Sequence, residues 1–179
     1  MAVEIKQINP TYKELKKFSE FSTKLYKDNP YYVPALLMDD ISTFDPKKNP
    51  AYEFCESVLF MAYRDGKPVG RIAGIVNNVV NEKWNENNMR FGFVDFIDYE
   101  EVCDALFKAV EDWGRSKGFT NIVGPLGFTD MDPEGMLIEG FDKEGTMATI
   151  YNHPYYLKHI ERMGFEKECD WVEFRITIP

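Results

Sequence analysis

Hydrophobic and polar positions along the chain change period often enough to mark most of its elements. Residues 3–8, VEIKQI, alternate with Val3 and Ile5 on one side, the period of a short strand. Asn9 and Pro10 then supply a capping side chain and a proline suited to a first helical turn. Leu15, Phe18, Ser22, Leu25 and Tyr26 follow at steps of three and four, one face of a first helix that Asn29-Pro30 ends. A second helix is predicted over 34–44 from Leu36, Leu37, Ile41 and Phe44, before the polar break DPKKNP.

The runs 58–63 and 69–76 are rich in strand-forming residues and flank Asp65-Gly66, a strong hairpin signal. The asparagine-rich stretch 77–88 reads as a loop leading to a third strand over 89–97. A long amphipathic helix follows, with Val102, Leu106, Val110 and Trp113 in one stripe and Cys103, Phe107 and Ala109 beside it; Gly118 is placed to cap it. Residues 120–123 form a short buried strand, parallel to its predecessor because a helix crosses between them. The segment 124–145 holds five glycines and no period, so it is predicted as a structured loop with a helical turn after Pro133. A helix over 154–163 and a strand over 171–178 close the chain. There is no internal repeat and no low-complexity segment.

Composition narrows the classes this pattern can belong to. At 179 residues and 44% hydrophobic, the chain supports one core and one domain spanning 1–179. The formal net charge of −9 repels phosphate backbones and anionic lipid, which argues against nucleic-acid and membrane partners. The opening MAVEIKQINP lacks the basic end and apolar run of a leader, and no apolar stretch approaches the roughly 20 residues of a membrane helix. A soluble cytoplasmic protein is expected.

Cys55, Cys103 and Cys169 form no CxxC pair, so neither a disulfide framework nor a zinc site is indicated. Asp130, Asp132 and Gly135 open like a calcium loop, but Phe141 stands where the bidentate glutamate belongs, so no metal is expected. His153 and His159 lie six residues apart and do not share a helical face. The turn at 98–101 is where a strand feeds a helix N-terminus, a common anion site. It reads Asp98, Tyr99, Glu100, Glu101, without the glycines or cations an anion would favour.

The order strand, two helices, three-strand meander, helix, strand, short helix, strand resembles the GNAT superfamily of N-acetyltransferases. The best local matches are AVEDWGRSKGFTNIVG, similar to the family's central helix and fifth strand, and YNHPYYLKHIERMGFEKE, similar to its closing helix, Gly-Phe and strand. More narrowly, GPLGFTDMDPEGMLIEGFD with YNHPYY resembles a bacterial GNAT-like group of unassigned function in which two such domains often occur in tandem.

That resemblance implies a mixed α/β (α+β) fold, with a central, mostly antiparallel twisted sheet splayed near its fourth and fifth strands. It implies an acyl-CoA-dependent N-acetyltransferase acting on a small amine, with acetyl-CoA or another acyl-CoA as cofactor. Asp95 becomes a candidate catalytic base, provided Phe91, Phe93 and Val94 pack around it; the alternative is a carboxylate that faces solvent or caps the next helix. The backbone of Phe96 and Ile97 would pair with the pantetheine arm, with Asn152 beside the cofactor. Tyr151, Tyr155, Tyr156 and Phe128, together with Tyr31, Tyr32 and Phe141, would line the substrate cleft or simply fill the core. The partner would be a second GNAT-like domain or a second copy, the chain being the first half of a longer protein.

Two positions depart from the family pattern. Its pyrophosphate loop carries Arg/Gln-x-x-Gly-x-Gly/Ala, whereas 96–102 supply none of these residues and three carboxylates stand in the anion's place. Its tyrosine acid lies four residues before the closing Gly-Phe, where this chain has Ile160. The competing reading is therefore a catalytically inactive GNAT-like module that uses no cofactor and binds a ligand or an adjoining domain.

Overall fold

Five strands form one sheet in the order β1-β2-β3-β4-β5, and the two faces of that sheet are covered by different helices. The computed structural model describes residues 2–146, 149–174 and 176–178. The strands are β1 (Glu4–Gln7), β2 (Cys55–Arg64), β3 (Lys67–Asn77), β4 (Asn88–Phe96) and β5 (Asn121–Val123), antiparallel except for the β4–β5 pair. β2 and β3 turn through Asp65 and Gly66, both at positive φ, as Asp-Gly between apolar runs predicts.

Alternation along β2 decides which side chain meets which layer. Val58, Phe60 and Ala62 face one cluster, whereas Leu59, Met61 and Tyr63 face the other. On the first face lies α4 (Glu100–Ser116), its Val102, Cys103, Leu106, Phe107 and Val110 all buried. It can come close because β3 presents Gly70 and Gly74 there: a Cβ on Gly70 would sit 2.7 Å from Leu106 Cδ1. On the second face lie α1 (Tyr12–Leu25) and α2 (Leu37–Thr43), contributing Leu15, Phe18, Phe21 and Ile41. Thr11, rather than Asn9, caps α1, while Glu14 reaches back to accept from the Asn9 N–H at 2.6 Å.

β4 carries an irregularity that places the candidate chemistry. Opposite Arg71 and Ala73 of β3 stand Asp95 and Gly92, so β4 has one residue more than its partner, and Phe93 within it adopts φ 48°. This β-bulge reverses the alternation. Before it, Met89 and Phe91 face α4; after it, Val94 and Phe96 do, while Phe93 and Asp95 turn to the α1 side. The expected shell of Phe91, Phe93 and Val94 around Asp95 is thus corrected: Phe91 and Val94 lie on the opposite face.

β4 and β5 stay together only over Asn88↔Asn121, Met89↔Ile122 and Arg90↔Val123, followed by Leu126 N–H donating to the Phe91 carbonyl at 2.8 Å. Beyond that point the two diverge, and the first turn of α5 (Tyr155–Arg162) stands against Phe96.

Two further expectations are corrected. The stretch expected as an asparagine-rich loop contains α3 (Asn78–Trp84), because the Asn77 side chain caps it by accepting from the Val80 N–H and Asn85 ends it in the left-handed region. The described residues of 171–178 form no strand, and Arg175 lies outside the described residues. Trp171, Phe174 and Ile178 are 75%, 84% and 87% exposed, and among the described residues no strand pairs with them. Among the described residues no helix is long and apolar enough to cross a membrane, and no group of three His, Cys, Asp or Glu side chains could hold a metal.

Candidate functional site

Where β4 leaves β5, five side chains from five elements of the chain meet in one buried polar cluster. Arg71 of β3 and Asp95 of β4 are cross-strand neighbours, and Arg71 Nε donates to Asp95 Oδ2 at 2.8 Å. Arg71 also lies 3.6 Å from Asp40 of α2 and donates through Nη1 to the Phe18 carbonyl at 3.1 Å. Tyr26, at the C-terminus of α1, donates to Asp95 Oδ1 at 2.9 Å. Its own oxygen lies 2.8 Å from Tyr156 Oη, and that oxygen in turn accepts the Phe96 N–H at 2.9 Å. Tyr156 Oη also lies 3.4 Å from Asp95 Oδ1, so both phenols converge on the one carboxylate oxygen and either can be the donor in the phenol pair.

Burial sets the protonation of this cluster. It raises the Tyr26 and Tyr156 phenols well above the usual tyrosine range, with Asp95 adding to the effect, so both keep their protons. Burial works against the Arg71 cation, but Asp95 and then Asp40 outweigh it and hold its pKa above the ordinary arginine value. Asp40 is raised, its desolvation exceeding the help Arg71 gives. The cysteines take no part: burial pushes the Cys55 thiol up to about 11 and that of Cys103 up to about 12.

Beside this cluster opens a cavity of about 340 Å³, lined by Leu25, Asp28, Asn29, Pro30, Tyr31, Phe141, Tyr151 and His153. Tyr151 accepts from Asn29 Nδ2 at 2.7 Å and donates to the Phe141 carbonyl at 3.2 Å, which ties the wall together. His153 stacks on Tyr155 at a ring separation of 5.2 Å and packs tilted against Tyr26 at 4.8 Å. Partial burial lowers its pKa, with Asp95 opposing, so the imidazole is neutral at neutral pH.

The sequence candidates divide between these places. Asp95, Tyr155 and Tyr156 meet at the splay, and Tyr151, Tyr31 and Phe141 line the cavity. Tyr155 Oη donates to the Phe96 carbonyl at 2.5 Å, so both backbone groups of Phe96 are already bonded to phenols. The Ile97 N–H points the other way, donating to the Val69 carbonyl at 3.0 Å. Asn152 is buried and clamps Leu137, accepting from its N–H at 2.7 Å and donating to its carbonyl at 3.1 Å. Phe128 is fully buried between Phe44 and Tyr52, in the core rather than the cleft. At the start of α4, Asp98 Oδ1 lies 2.8 Å from Nε2 of the buried His159, whose Nδ1 has no partner among the described residues.

Sequence reasoning did not single out Tyr26, Asp40 or Arg71. A signal existed for one of them, because Arg71 interrupts the otherwise apolar run 69–76, and a cation in such a strand needs a buried anion. Tyr26 fitted the first helix's apolar face and gave no hint of its hydroxyl.

The five-stranded sheet with a parallel, diverging β4–β5 pair and helices on both faces is the GNAT N-acetyltransferase fold. A predicted acetyltransferase from Clostridium acetobutylicum, solved with acetyl-CoA, superimposes with a TM-score of 0.58 over 97% of this chain and 96% of its own, at 8% identity, a likeness of fold. In sequence the chain is 33% identical over 157 residues to Protein YghO of Escherichia coli strain K12, covering 88% of this chain and 40% of that protein. It is 30% identical over 164 residues to a bacterial ceramide synthase of Caulobacter vibrioides, covering 90% of this chain and 42% of that protein. The chain therefore spans about two-fifths of the length of these relatives. No family model matches it.

Proposed function

We propose that this chain is a ligand-binding GNAT-fold domain of a longer N-acyltransferase and does not itself hold a CoA thioester. The observation that carries this reading is the closed splay: the hydroxyls of Tyr155 and Tyr156 occupy the carbonyl and N–H of Phe96, the groups a pantetheine arm would need. The α4 N-terminus adds to it. Asp98, Glu100 and Glu101 stand where a pyrophosphate would approach, and each would oppose it by about 1 kcal/mol or more at an effective dielectric near 20. Residues that repel the anion and leave no free backbone edge do not fit CoA.

The acylating role is inferred from the relatives. A ceramide is the fatty amide of a long-chain amino alcohol, so the Caulobacter relative, by its name, joins an acyl group to an amine. A domain that keeps the fold but not the thioester groove suits recognition of that amine, with acylation elsewhere in the longer protein. The second reading is an acyl-CoA-dependent N-acetyltransferase acting on a small amine. It is favoured by the buried Asp95 and its two phenols beside an open cavity, where a carboxylate could assist deprotonation. Fold likeness alone does not decide the chemistry.

Calorimetric titration with acetyl-CoA separates the two. The first reading expects no saturable heat up to millimolar ligand; micromolar binding would establish the second. A related substitution isolates the role of charge. Replacing both Asp98 and Glu100 with glycine is expected to leave CoA binding undetectable, because the Phe96 backbone stays occupied. Appearance of CoA affinity in that double variant would mean that the acids alone block the site.

A further inference from the structure

We propose that residues 171–178 are the interface of a two-fold dimer, each segment pairing antiparallel with the same segment of a second copy of this chain. The proposal concerns assembly and is independent of the ligand reading above. Val172, Phe174, Ile176 and Ile178 recur at every second position, with Glu173, Arg175 and Thr177 between them, the period of a strand with one apolar face. All four apolar side chains are exposed, as is Trp171. Exposed apolar side chains grouped in this way mark an interaction surface. Trp171 and Phe174 alone, at roughly 150–250 Å² each when buried, supply on the order of a third of the ~800 Å² that each partner gives a stable interface. The segment also starts beside the open edge of the sheet. A Cβ on Gly135 would stand 3.7 Å from Trp171 Cδ1, and the Gly135 N–H donates to the carbonyl of Pro125, just beyond the edge strand β5, at 2.8 Å. The loop that carries Gly135 exposes Met131 as well, which extends the apolar surface.

Charge complementarity names the occupant. Directly opposed residues of an antiparallel pair share a face, so only a register that sets even positions against even ones keeps the apolar side chains together. A two-fold register centred on Phe174 does this, setting Val172 against Ile176 and Phe174 against its own copy. On the other face the same register sets Glu173 of each copy against Arg175 of the other, two opposite-charge pairs from one repeat of three residues. A register centred one residue later sets Arg175 against itself, a like-charge contact that costs stability. The segment is thus complementary to itself, as an isologous interface requires. Two such strands alone would be marginal, which is why their attachment beside the open β5 edge matters.

Sedimentation equilibrium of this chain, from micromolar to near-millimolar protein, tests the proposal. A monomer–dimer equilibrium is expected, with no larger species. Phe174→Asp is expected to weaken the dimer by about thirtyfold or more, and because Phe174 is exposed, a far-UV spectrum matching the parent confirms that the variant folds. Glu173→Arg, which opposes like charges twice, is expected to weaken it by about tenfold, and adding Arg175→Glu to that variant is expected to restore affinity to within about threefold of the parent. A chain that stays monomeric throughout, a dimer indifferent to Phe174→Asp, or a charge swap as weak as the single variant would each overturn the proposal. Hydrogen exchange then names the occupant that replaces the second copy. Protected amides over 171–178 in a monomer would mean that the chain's own sheet edge takes the strand, and unprotected ones would leave the segment for another part of the longer protein; either result excludes the dimer.

Discussion

Replacing Arg71 with methionine is expected to destabilise the protein by about 3–5 kcal/mol, the range for removing one partner of a buried ion pair. The substitution leaves Asp95 and Asp40 with side chains 9% and 15% exposed and no cation between them. It also strips the Phe18 carbonyl of its donor on the α1 side. Set against a typical domain stability of about 5–15 kcal/mol, the loss would bring the variant close to unfolding. Urea unfolding at matched slopes measures it, and an unchanged midpoint would mean that the cluster is not the keystone its burial implies.

The pH dependence carries a definite sign. Asp40 already has a folded-state pKa above its ordinary value, chiefly from burial. A carboxyl raised in the folded state contributes stability that is complete below its unfolded pKa and is lost as pH rises through the folded one. Removing Arg71 raises Asp40 further, so the deficit of the variant should narrow as pH falls from neutral into the carboxylate range. A gap that widens instead would show that the lost hydrogen bonds of Arg71, not its charge, dominate.

Gly92→Ala is expected to cost about 1–3 kcal/mol or more, as a forced overpacking that no rotamer can relieve. A Cβ there would lie 2.3 Å from the Leu126 carbonyl oxygen and 3.0 Å from its carbon. Both are backbone atoms of the strand-to-loop segment whose Leu126 N–H is bonded to Phe91, so the new methyl must lift that segment off β4. Gly114→Ala makes the comparison informative. Its Cβ would meet Met89 Sδ at 2.4 Å, nominally as close, but a methionine side chain can swing aside. Thermal melts should therefore rank Gly92→Ala clearly below Gly114→Ala, and the reverse order would refute the distinction between a yielding and an unyielding neighbour.

These contrasts also explain what was legible in the sequence. The α4 stripe and the Asp65-Gly66 hairpin were readable because each depends on residues a few positions apart. The polar cluster was not, because Tyr26, Arg71, Asp95 and Tyr156 come from α1, β3, β4 and α5 and are joined only by the closed fold. Residues 171–178 alternate well enough to suggest a strand, yet alternation prepares a face and cannot supply the neighbouring strand that makes it one. The acidic turn at α4 was visible from its letters alone. The occupation of the Phe96 backbone by two tyrosines, which sharpens its meaning, needed the register of β4 against α5.

The extra residue at Phe93 acts on β4 as a frameshift acts on a message. Every side chain after it is delivered to the opposite layer from the one its parity promises, which is how a carboxylate reaches Arg71 and Tyr26 instead of the apolar stripe of α4. Aligning β4 with an unbulged strand therefore requires a one-residue gap. Without it, the carboxylate that anchors the whole cluster would be paired with a core position.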